Sequence, residues 1–123
     1  MDLVVTTFEV WPKIRQTLRV FQNTLDDGGN WIGLRLREQA GGPSPVGARV
    51  TLHYGGGATA RQIVTGDSYR SQHANTLHFG LGKITQVERV EVRWTDGRTV
   101  VLNQPAINHY HAVKRPERGN NLR

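Results

Sequence analysis

The stretch Val90-Glu91-Val92-Arg93-Trp94-Thr95-Asp96-Gly97-Arg98, running on into Thr99-Val100-Val101-Leu102, alternates apolar and polar residues on either side of an Asp-Gly pair. Successive side chains of an extended chain point to opposite faces, so Val90, Val92 and Trp94 share one face of a strand and belong in a core. Asp96-Gly97 between two such runs is a type I′ hairpin signal, and the turn sets the register of the returning strand, 98–102. Just upstream, Leu77-His78-Phe79-Gly80-Leu81-Gly82 turns Leu77, Phe79 and Leu81 inward. Gly80 and Gly82 between them predict a bulge or a close backbone approach.

The same alternation extends outward in both directions. Ile32, Leu34 and Leu36 fall on one face and Gly33, Arg35 and Arg37 on the other. Val46, Ala48, Val50, Leu52 and Tyr54 repeat the inward pattern with Arg49, Thr51 and His53 outward. Gly55-Gly56-Gly57 then turns the chain into a strand over 60–65. The run from Ile107 to Val113 is expected to close a sheet, and 114–123 reads as a basic, flexible tail. Near the N-terminus, Asp2-Leu3-Val4-Val5-Thr6 and Leu18-Arg19-Val20-Phe21-Gln22-Asn23 read as two strands of a hairpin. No amphipathic helix of ordinary length is visible, and 68–75 reads as a turn of helix or an irregular loop. The expected fold is therefore all-β: a small antiparallel β-sandwich, or a barrel, with an N-terminal hairpin extension. The expected division is a hairpin over 1–25, a β domain over 30–113 and the tail.

The chain has 123 residues, enough for one domain with a modest core. No apolar stretch approaches the roughly 20 residues of a membrane-spanning helix, and no membrane insertion is expected. Sixteen Lys and Arg against ten Asp and Glu give a net charge of +6, and thirteen of those cations are Arg. Arginine recognises carboxylate, sulfate or phosphate with a planar fork, so a polyanionic partner is physically reasonable. The plainer reading makes these Arg the solvated outer faces of strands. With no cysteine there are no disulfides, thiolate metal sites or cysteine nucleophiles. Met1-Asp2-Leu3-Val4-Val5 shows no basic segment leading into an apolar one, so no export signal is read there.

Five blocks together carry a resemblance. They are Asn30-Trp31-Ile32-Gly33-Leu34-Arg35-Leu36, Val46-Gly47-Ala48-Arg49-Val50, Gly66-Asp67-Ser68-Tyr69-Arg70-Ser71-Gln72, Leu77 to Gly82, and Val90 to Arg98. In this order, from about Asn30 to Val113, the chain resembles the ASPIC/UnbV domain. That family is a β-rich module at the C-terminal end of secreted FG-GAP repeat proteins of the cartilage acidic protein type. The resemblance implies a secreted or extracytoplasmic setting and no defined reaction. The two N-terminal strands resemble the last FG-GAP blade of a β-propeller, whose calcium loop would lie before Met1. The chain is therefore expected to be the C-terminal part of a longer protein, the other reading being an independent small protein with an N-terminal hairpin.

The loop Gly66 to His73 is the leading candidate site. Ser68, Tyr69, Arg70, Ser71, Gln72 and His73 gather hydroxyls, an amide, an aromatic face and a guanidinium beside the Leu77–Gly82 strand, a set that suits glycans. The structural alternative has Ser68, Ser71 and Gln72 serving backbone groups and Tyr69 filling the core. Trp31, Trp94 and Tyr54 likewise read as core or edge packing. His109 and His111, at i and i+2, form a weak metal pair needing His53, His73 or His78 as a third ligand. Asp26-Asp27-Gly28-Gly29-Asn30 lacks the alternation of a calcium loop and reads as a linker. Glu88 and Glu91 fall on opposite strand faces, and Asp67, Ser68 and His73 fit loop capping, so no enzyme and no cofactor are expected.

The resulting expectation is a noncatalytic binding or structural module, with a protein or glycan as partner, the parent propeller included, and a homo-oligomer through the N-terminal strands as a possibility. An Arg-rich polyanion-binding domain is the alternative, and an accessory role in natural-product biosynthesis is a distant one. Nucleic acid is not expected, because no stretch shows aromatic residues interleaved with cations or a known nucleic-acid motif.

Overall fold

A computed structural model describes residues 2–25, 28–37, 42–66 and 72–117. Nine strands follow one another: β1 (Leu3–Glu9), β2 (Arg15–Phe21), β3 (Asn30–Arg37), β4 (Arg49–Tyr54), β5 (Gly57–Gln62), β6 (Thr76–Gly82), β7 (Arg89–Arg93), β8 (Thr99–Asn103) and β9 (Tyr110–Lys114). They form a four-stranded sheet in the order β5-β4-β7-β8, a three-stranded sheet in the order β6-β3-β9, and a two-stranded sheet of β1 and β2. None closes into a barrel, and no helix occurs among the described residues. The fold is all-β, with the larger sheets contributing their inner faces to one core.

That core is the inward set of the alternation. Ile32, Leu34, Leu36, Val50, Leu52, Phe79, Leu81, Val90 and Val92 are all buried, and Ala48, Ile63, Val87, Trp94 and Val113 join them. Val46, expected inward, is instead exposed. β4 begins only at Arg49, and before it the chain turns at Gly47 (φ +86°) with Ala48 donating its N–H to the Pro45 carbonyl. The turn breaks the alternation and buries Pro45 in place of Val46.

The two tight hairpins differ. Tyr54 pairs with Gly57 across a loop of Gly55 (φ +49°) and Gly56 (φ +78°). Two successive left-handed residues make this the type I′ turn. At Asp96-Gly97, where type I′ was expected, only Gly97 is left-handed (φ +85°). Gly97 N–H donates to the Trp94 carbonyl and Trp94 N–H to the Arg98 carbonyl. This is a longer loop closed by a glycine bulge. It turns the Asp96 carboxylate toward the Arg98 guanidinium, at 3.0 Å, and toward Arg115, while Arg98 also donates to the Pro116 carbonyl at 2.7 Å. Arg115 and Arg98 thereby clip residues 115–116 to the β7–β8 turn, and the hydrogen bond from Arg115 holds the Asp96 carboxyl below its ordinary pKa.

One pairing departs from an all-antiparallel sandwich. β3 pairs with β6 antiparallel but with β9 parallel, Gly33 opposite Tyr110 and Leu36 opposite Val113. The chain leaves β3 for the larger sheet and comes back from it to form β9, and a long crossover of this kind permits parallel pairing where a hairpin does not. The expected irregularity at Gly80–Gly82 is a β-bulge: Trp31 faces Gly80 while Asn30 faces Gly82, which leaves Leu81 as the extra residue. On the open side of the sandwich, Arg61 of edge strand β5 donates to the His78 carbonyl of edge strand β6 at 3.1 Å. That bond joins two edges that would otherwise be free to pair elsewhere.

β1 and β2 form the expected N-terminal hairpin, Leu3 opposite Phe21 through Glu9 opposite Arg15, around a turn with a cis Trp11–Pro12 peptide. It shares no ladder with either larger sheet, and Leu3, Val4, Phe8, Trp11, Leu18, Val20 and Phe21 are exposed. Its alternation places Val4, Phe8, Leu18 and Val20 on one face, where no described residue of the chain covers them.

Candidate binding face

The outer face of the β6-β3-β9 sheet follows from the ladders. On β3 the residues opposite to buried Ile32, Leu34 and Leu36 are Trp31, Gly33, Arg35 and Arg37. Cross-strand partners share a face, so His78 and Tyr110, both opposite Gly33, and Thr76, Ala112 and Lys114, opposite Arg35 and Arg37, join them. Gly33 is the key to the arrangement. A Cβ there would lie 2.1 Å from the Tyr110 ring, so the missing side chain is what lets Tyr110 lie across β3. Its hydroxyl reaches the His78 Nδ1 on β6 at 3.3 Å, and one row of side chains thus spans all three strands.

The neighbours along β3 complete the cluster. Trp31 stacks on His78 with ring centroids 5.0 Å apart and planes at 23°, and it meets Tyr110 at 4.9 Å. The Arg35 guanidinium lies 4.4 Å from the centre of the Tyr110 ring, a cation–π contact. Trp31, His78 and Tyr110 are half-buried, while Arg35, Arg37 and Lys114 are exposed. No Asp or Glu belongs to this face among the described residues. Asn108 fixes the relation of β9 to β3: left-handed itself (φ 56°), it donates its N–H to the Trp31 carbonyl at 2.6 Å and accepts the Trp31 N–H on Oδ1 at 3.0 Å. Its amide also donates to Asn30, which in turn donates to the Ile84 carbonyl.

Aromatic residues interleaved with cations on one exposed sheet face are therefore present, contrary to the reading of the sequence. Trp31 is neither core nor simple edge packing, and Tyr110 and Arg35 had no assigned role. The signal that could have found them is the outward series Trp31, Gly33, Arg35, Arg37, with a glycine in the middle of a strand.

A family model described as ASPIC and UnbV matches residues 39–120. That is about two thirds of the chain. The chain belongs to the ASPIC and UnbV family. The match begins after β3, yet β3 is the central strand of the smaller sheet and buries three core residues, so the folded ASPIC/UnbV domain of this chain includes residues 30–37. No curated protein matches the chain.

Of the loop singled out in the sequence, Ser68, Tyr69, Arg70 and Ser71 lie outside the described residues. Gln72 and His73 are exposed, and His73 lines a concavity of about 310 Å³ with Gln62, Ile63, Val64, Ala74, Thr76 and Leu77. His109 and His111 do come together, their rings edge to face at 5.1 Å. His111 Nε2 lies 2.8 Å from the Ala106 carbonyl, to which it donates its N–H. His78 is engaged by Trp31 and Tyr110. No group of three His, Cys, Asp or Glu converges among the described residues. The linker reading of Asp26 and Asp27 also falls outside the described residues.

Proposed function

We propose that this ASPIC/UnbV domain is a noncatalytic interaction module of a larger exported protein and that it works through the outer face of the β6-β3-β9 sheet. The observation that carries this reading is the cluster of Trp31, His78, Tyr110 and Arg35 on a face whose only charges among the described residues are Arg35, Arg37 and Lys114. Buried aromatic rings stabilise a core, but here three are kept half-exposed on the solvent side of a sheet whose inner face is already filled. Aromatic and Arg side chains in such a setting are the usual anchors of recognition. The exported setting rests on the likeness to FG-GAP repeat proteins.

The test is retention of the purified full chain on a cell-surface extract, before and after protease or periodate treatment. Trp31→Ala with Tyr110→Ala should abolish retention while the domain still melts cooperatively. Retention unchanged in that variant would remove this face as the interface. Tyr69→Ala with Arg70→Ala in the same assay reads whether the 66–73 loop contributes a second contact.

A further inference from the structure

The dimensions and chemistry of the outer face restrict what can occupy it. Three strands spaced about 4.8 Å apart, with a rise near 3.3 Å per residue, offer a surface of roughly 300 Å². A stable protein–protein interface takes about 800 Å² from each partner. The face is too small for a protein to dock on it alone, and its width suits a single extended chain.

From its residues we infer that the occupant is an acidic, uronate-bearing polysaccharide, an inference that rests on the reading of this face as the interface. A pyranose ring presents a flat patch of C–H groups to an indole and carries its carboxylate at the ring's edge. The face presents a half-exposed indole, Trp31, followed along the same strand by two guanidinium groups, Arg35 and Arg37, with Lys114 across from Arg37. Residues two apart on a strand lie about 6.6 Å apart, so the cations form a row along β3 rather than a single point. Arginine takes a carboxylate through two parallel N–H···O bonds. No carboxylate of the face competes for them, and the Tyr110 ring already holds the Arg35 guanidinium in place, so less ordering is lost on binding.

The same geometry disfavours single-stranded nucleic acid. Such strands stack successive bases on successive free ring faces. Here His78 stacks on one face of Trp31, Tyr110 packs 4.9 Å from it, and the Tyr110 ring lies between Gly33 and the Arg35 guanidinium, so the rings are engaged with one another rather than set out as successive free faces.

The experiment is titration of the full chain by calorimetry with size-defined oligouronates, and beside them neutral dextran oligomers and oligo-dT. Arg35→Gln with Arg37→Gln should weaken oligouronate binding at least tenfold. Arg89→Gln with Arg93→Gln, an equal loss of charge on the outer face of the larger sheet, should change it less than twofold. Trp31→Phe, which keeps a ring, should bind more tightly than Trp31→Ala. Thermal melts confirm that each variant is folded, and quenching of tryptophan fluorescence in the parent chain reports binding if Trp31→Ala does not fold. Equal weakening by the two Arg pairs would make the binding diffuse charge attraction and overturn the inference. Tighter binding of oligo-dT than of oligouronate would overturn it as well. If no polysaccharide binds while the cell-surface extract still retains the domain through Trp31 and Tyr110, the polysaccharide is wrong and the interface reading stands.

Discussion

Gly33 shows how much of this structure rests on a missing side chain. Its place in β3 is fixed by burial of Ile32 and Leu34 on either side, and its own face is covered by the Tyr110 ring. Gly33→Ala leaves the backbone conformation allowed but puts a methyl group inside that ring. Tyr110 must swing off, losing its contacts with His78 and Arg35. The expected loss of stability is about 1–3 kcal/mol, the usual range for overpacking, read by urea unfolding. In a Tyr110→Ala background the same substitution should cost much less, since there is no ring to displace. A loss of the same size in both backgrounds would show that Gly33 serves the strand and not Tyr110. Phe79, 2% exposed, belongs to the ordinary core. Phe79→Ala is expected to cost about 3–5 kcal/mol, and an unchanged melting temperature would contradict its burial.

At the scale of elements, the β7–β8 turn carries a pH dependence. The folded pKa of Asp96 is depressed, chiefly by the hydrogen bond from Arg115, so its stabilising effect is full above the ordinary value of 3.8 and is lost as pH falls through the lower folded value. The group is exposed, so the effect is local. The amides of Lys114 and Glu117 should lose hydrogen-exchange protection under mild acid, relative to those of β4. Asp96→Asn should produce that loss already at neutral pH, and equal protection in variant and parent would remove the clip. The strands were legible in the sequence because alternation is a property of neighbouring residues: Ile32/Leu34/Leu36 and Val90/Val92 need no knowledge of the rest of the chain. The turn class at Asp96-Gly97 was not legible, since an Asp-Gly pair fits a two-residue turn and a longer glycine-bulge loop equally well, and here only Gly97 is left-handed. Nor was the outer-face cluster, which joins Trp31, His78 and Tyr110 from three strands, one of them parallel. Alternation says which residues point outward but not which outward residues meet.

For the molecule as a whole, the sandwich and the N-terminal hairpin are unequal partners. The sandwich has a continuous core fed by both sheets, with Arg61 and Asn108 tying its strands across the open side and the crossover. The hairpin has seven-residue strands, no shared ladder and exposed apolar side chains on both faces. A two-stranded sheet of this kind is marginally stable alone, and its open edges and apolar face favour association. Removing residues 1–24 is therefore expected to leave the melting temperature of the sandwich within about 2 °C of the parent, a shift equivalent to well under 1 kcal/mol for a domain of this size. In the parent, limited proteolysis should cut within 1–25 before it cuts any strand of the sandwich. The same pair of proteins reads whether the N-terminal strands assemble copies of the chain: sedimentation that depends on concentration in the parent and not in the truncated form would place the contact in the hairpin. Restoring a monomer with Phe8→Glu and Leu18→Glu would place it on the face that carries Val4, Phe8, Leu18 and Val20. A fall of many degrees on truncation would instead show that the hairpin stabilises the sandwich, contrary to the absence of any ladder between them.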